Sequence, residues 1–86
     1  MRRALVLALC WGGAALADPL PEQLAAGQAA YQAKCQRCHR TPEPLLRATA
    51  ELPPEEKAAH FEAVLATHHN PGPEAAAAIA VWLASL

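Results

Sequence analysis

Eighty-six residues hold one domain. The apolar fraction is 53%, but alanine supplies 22 of those residues and aromatics only four, so the core available is thin. Seven basic against eight acidic residues give a net charge of −1, which excludes the basic footprint of a nucleic-acid-binding domain and the high-charge, low-hydrophobicity signature of disorder.

No stretch reaches the ~18–20 apolar residues that a membrane-spanning helix needs. A chain this short ordinarily needs a staple, whether disulfide, metal, cofactor or partner.

In chain order, the first segment reads as an address. Met1-Arg2-Arg3 is a positive start, residues 4–14 are a short apolar run, and Ala15-Leu16-Ala17 is a small-x-small cleavage site before Asp18. This is the three-part pattern of a secretory signal peptide over residues 1–17, and it implies export to the periplasm. The competing reading is a short buried helix. A lipid anchor at Cys10 fits poorly, because the bulky Leu9 precedes it and the apolar run before it is too short. The mature domain is then 18–86, with 5 basic and 8 acidic residues and only two cysteines, Cys35 and Cys38.

Prolines cut that domain into helical pieces. The first is predicted from about Pro21 to about Arg37, since proline suits the first helical position, where its missing N–H would be unpaired anyway. Leu24, Gly27, Gln28 and Tyr31 recur at helical spacing, which puts Gly27 and Tyr31 on one face. A glycine there costs roughly 1 kcal/mol of helix propensity, so a close approach by another backbone is expected at that point.

Thr41-Pro42-Glu43-Pro44 reads as a turn, with a short helix over Leu45 to Ala50. Pro53-Pro54 opens the next helix, with Glu55 and Glu56 near its positive end and Phe61, Val64, Leu65 and His68 along one face. Asn70-Pro71-Gly72-Pro73 stops it. The last helix starts at Pro73 and carries Ile79, Trp82, Leu83 and Leu86 on one stripe. Nothing alternates as a strand does. The predicted class is all-α, with three main helices.

Chemistry concentrates at Cys35-Gln36-Arg37-Cys38-His39, a C-x-x-C-H sequence, the pattern of covalent c-type haem attachment. Two thiols at i and i+3 near a helix end face one side and can form thioethers to the two vinyl groups of one porphyrin. The adjacent histidine then lies against the ring, which makes His39 the candidate proximal iron ligand. A C-x-x-C redox disulfide is the first competing reading, but such motifs open a helix beside a strand, whereas this one closes a helix in a strand-free chain. A structural zinc site is the second; it needs four ligands, which His39 and one further histidine would complete.

Gly27-x-x-x-Tyr31-x-x-x-Cys35-Gln36-Arg37-Cys38-His39 resembles the start of a small class I cytochrome c. The resemblance extends over nearly all of residues 18–86. It implies a cytochrome c-like fold around one covalent haem, with the glycine and aromatic of the first helix crossing the last helix near Trp82. By the same resemblance the role is one-electron transfer outside the cytoplasm, to a periplasmic redox protein or as the haem subunit of an oxidoreductase.

The sequence departs from that family at the distal ligand. The usual methionine is missing, since the only methionine is Met1, inside the expected signal peptide. His60, His68 and His69 are the alternatives, with Asn70 behind them. At 100° per residue, His68 is centred on the face of Phe61, Val64 and Leu65, His69 lies on its rim and His60 outside it. His68 is therefore the candidate distal ligand and His69 the alternative. Both histidines also suit a helix C-terminus on dipole grounds alone.

Bis-histidine ligation removes the thioether that raises the potential, so a low-potential carrier is expected. Arg37, Arg40 and Arg47 flank the motif as candidate partners for propionates. A backbone carbonyl near Pro42 or Pro44 is the expected acceptor for the free N–H of His39. No paired carboxylates, nucleophile–base set or phosphate loop suggests an enzyme. The reading from another class is a gas-binding or sensing haem protein, with an open or displaceable sixth site.

Overall fold

The computed structural model describes residues 19–86, and the expected signal peptide lies outside them. Four helices follow in order: α1 (Pro21–Lys34), α2 (Glu43–Ala48), α3 (Pro54–Thr67) and α4 (Pro73–Ser85). Among the described residues there is no strand, and the all-α class holds. No helix among them is long and apolar enough to cross a membrane.

Proline sits in the first turn of all four helices, each with a glutamate there, so the punctuation legible in the sequence is what starts them. The boundaries differ from expectation in two places. α1 stops at Lys34 rather than near Arg37, and Cys35 becomes its C-cap at φ −121° with its N–H on the Tyr31 carbonyl. α2 begins inside the proline-rich segment read as a turn, at Glu43, because Pro44 is tolerated in the first helical turn.

α4 packs against both α1 and α3. Its buried positions, Ala76, Ile79, Ala80 and Leu83, recur at i, i+3, i+4 and i+7. They meet Tyr31 from α1 and Phe61 and Leu65 from α3, and these seven residues are the buried hydrophobic core. Two of the seven are alanines, so the core is as thin as the composition suggests. Leu86, expected on the α4 stripe, is 53% exposed, since it falls beyond the last helical residue.

Gly27 lies where α1 crosses α4. A Cβ there would collide with the backbone carbonyl oxygen of Ala78 and come within 2.6 Å of the Trp82 Cβ. The close backbone approach expected at this glycine is met. Gly27→Ala is predicted to lower stability by about 1–3 kcal/mol, because the obstructing atom is backbone and cannot rotate away. Chemical denaturation measures this, and a variant within a few tenths of the parent contradicts the crossing.

The α3–α4 connection is set by Asn70. Its side-chain amide donates to the Ala66 carbonyl at 3.4 Å, and its Oδ1 accepts the Gly72 N–H at 2.9 Å. Gly72 adopts φ 101°, a conformation that favours glycine, just before α4 starts at Pro73. Together these fix where α3 ends and the histidine pair begins.

Candidate functional site

The C-x-x-C-H segment follows α1 as a tight, hydrogen-bonded turn. The Tyr31 carbonyl accepts the N–H groups of Cys35 (2.8 Å) and Gln36 (3.0 Å). The Cys35 carbonyl in turn accepts those of Cys38 (3.2 Å) and His39 (2.9 Å). Both thiols are free, Cys35 half-buried and Cys38 exposed. The hydroxyl of Tyr31 donates to the His39 carbonyl, a contact that neither spacing nor composition announces.

This turn forms one wall of a cavity of about 650 Å³. Cys35, Cys38 and His39 line it together with Leu45, Phe61, Val64, Leu65, Ile79 and Leu83, and His68 and His69 stand at its α3 side. The volume falls within the ~300–1,000 Å³ of small-molecule and cofactor pockets. Val64 is 40% exposed although it belongs to the apolar face of α3, because that part of the face looks onto the cavity.

His68 reaches the cavity by a different route from the one helical geometry implies. α3 ends at Thr67, and His68 is its C-cap in extended backbone, φ −131° and ψ 102°. His69 follows at φ 50°, the left-handed region. The ring centres of His39 and His68 are 6.0 Å apart at an interplanar angle of 69°, and His69 packs edge-on against His68 at 5.1 Å. His60 is exposed, packs against Phe61 and does not line the cavity; Asn70 serves the connection instead.

Burial pushes the Cys35 thiol up from its ordinary range, partly offset by the Lys34 ammonium. A thiol–disulfide exchange cysteine needs the opposite shift and ordinarily sits at a helix N-terminus, whereas Cys35 sits at a C-terminus. The setting therefore disfavours the redox-disulfide reading. Among the described residues, no three His, Cys, Asp or Glu side chains are grouped as a shared metal ion would require.

Of the basic residues flanking the motif, Arg37 lines the cavity and Arg40 and Arg47 do not; Lys34, not singled out by the sequence, also lines it. Among the described residues no backbone acceptor near Pro42 or Pro44 meets the His39 ring, and it is the His39 carbonyl that is held, by Tyr31. Burial raises the Tyr31 phenol above its ordinary value, with a smaller contribution from Cys35, so it stays a protonated donor at neutral pH. Tyr31 is 2% exposed, and its ring centre lies 5.2 Å from that of Trp82.

Comparison of the chain with protein-family models, with curated proteins and with solved structures finds no match.

Proposed function

We propose that the domain is a monohaem c-type cytochrome that carries single electrons in the periplasm, with a cytochrome c-like fold and bis-histidine iron ligation. The observation that carries this reading is the 6.0 Å separation of the His39 and His68 rings across a cavity whose wall holds both motif cysteines. Two imidazoles held this close, beside two free thiols, would suit one haem, His39 and His68 holding its iron and Cys35 and Cys38 its vinyl groups. The donor set thus fits a haem iron.

Cys35 and Cys38 are the thioether attachment points for one haem c, His39 the proximal ligand and His68 the distal one, with His69 the alternative. When bound, the haem iron supplies the one-electron chemistry. The chain's own part is to hold two ligands in place in both oxidation states and to exclude water. Phe61, Leu65, Ile79 and Leu83 supply the apolar walls that do so. Arg37 and Lys34 sit at the cavity surface as charge partners for propionates. The partner is a periplasmic redox protein or an oxidoreductase subunit. The role is not enzymatic.

The test is to produce the protein with haem-maturation machinery and record its optical and electron-paramagnetic-resonance spectra. Covalent haem and a low-spin, six-coordinate ferric iron are expected, with a midpoint potential below that of His/Met cytochromes. A midpoint in the His/Met range overturns bis-histidine ligation. Complete, rapid binding of carbon monoxide by the reduced protein favours the gas-binding reading over electron transfer.

A further inference from the structure

We infer that Tyr31 is a positioning residue for His39, tying the iron-ligating end of the C-x-x-C-H turn to the α1–α4 crossing. This rests on the haem reading above. Tyr31 holds the turn at both ends. Its backbone carbonyl accepts the first two N–H groups after α1, those of Cys35 and Gln36, and its side-chain hydroxyl donates to the carbonyl of His39, eight residues on.

Between those anchors, the Cys35 carbonyl accepts from Cys38 and His39, so the whole motif is closed into one hydrogen-bonded loop. The phenol ring is not free to follow the loop. It is buried, and it leans at 48° against Trp82 of α4. The position of Trp82 is itself fixed where Gly27 lets the Ala78 carbonyl approach. The chain of contacts therefore runs from helix crossing to indole, to phenol, to the peptide of the proximal ligand.

A phenylalanine at this position would fill the same space and keep the packing on Trp82. What the hydroxyl adds is directional: it fixes the His39 peptide plane, and with it the direction in which the imidazole leaves the backbone. Losing one such bond releases a local opening worth about one typical hydrogen bond, which corresponds to a roughly 3- to 10-fold change in an opening equilibrium.

The experiment compares the haem-loaded parent with Tyr31→Phe and Trp82→Phe. Mass spectrometry is read first for covalent haem; a parent that carries none overturns the cytochrome reading and this inference with it. In the loaded protein, Tyr31→Phe is expected to speed amide exchange at Cys38 and His39 by roughly 3- to 10-fold while α3 amides hold their rates. It is also expected to shift the ferric g-values, which report ligand orientation. Trp82→Phe keeps the hydroxyl and an aromatic ring against the phenol, and is expected to shift the g-values less than Tyr31→Phe does; an equal or larger shift overturns the hydroxyl's role. If Tyr31→Phe keeps both the exchange rates and the g-values, or speeds exchange equally in all four helices, the positioning role is overturned while the haem reading stands.

Discussion

On the proposed haem reading, His68→Ala is expected to convert ferric iron from low-spin and six-coordinate to high-spin with an open position. On reduction that variant is expected to bind carbon monoxide fully and the parent not to. The reason is geometric. His68 is the histidine whose ring stands 6.0 Å from that of His39, and residues 18–86 contain no methionine to replace it. Added imidazole is expected to restore the low-spin spectrum, since it supplies the same donor to the space the side chain leaves.

The companion variant is better made as His69→Asn than as alanine. At φ 50° asparagine tolerates the left-handed backbone, so the change removes the imidazole with little added strain. It is expected to keep the parent's spectrum. If His69→Asn loses the low-spin signature and His68→Ala keeps it, the two ligands exchange roles. If both keep it, neither histidine is the sixth ligand.

These two histidines also mark where sequence reasoning reaches its limit. Proline positions locate all four helix starts within a residue or two, because a fixed φ and a missing N–H act locally. The i, i+4 pairing of Gly27 and Tyr31 was legible for the same reason, and so was the crossing it permits. Where α3 ends was not. Continuing the helical periodicity through residue 68 puts His68 on the apolar face, yet the chain leaves the helix at Thr67, where Asn70 ties the Ala66 carbonyl to the Gly72 N–H.

His68 thus arrives at the cavity through extended backbone rather than helical phase. The Tyr31–His39 bond was equally hidden. It joins residues eight apart across an irregular turn, and no periodicity governs that separation. Lys34 is not legible in the sequence as a cavity residue, because a last-turn lysine is already explained by the helix dipole.

Replacing both motif cysteines, Cys35→Ala with Cys38→Ala, is expected to abolish covalent haem and to leave a chain that is largely unfolded at 25 °C. A domain of this size has on the order of 3–10 kcal/mol of stability to lose. Its buried hydrophobic core consists of seven residues, two of them alanine. All five of the larger ones, Tyr31, Phe61, Leu65, Ile79 and Leu83, also line the cavity, so filling it completes their packing. Val64 and Leu45 have their apolar surface on the same space.

The single variants separate attachment from packing. Cys38 is exposed, so Cys38→Ala is expected to keep one thioether and most of the stability. Cys35 is half-buried and packs against the core, so its loss costs up to about 1 kcal/mol more, the contribution of a small, partly buried side chain. Circular dichroism and thermal unfolding of the four proteins, with haem content by mass, measure the series. A double variant as helical and as stable as the parent would mean that the alanine-rich helices hold together on their own, and the haem's structural role would fall.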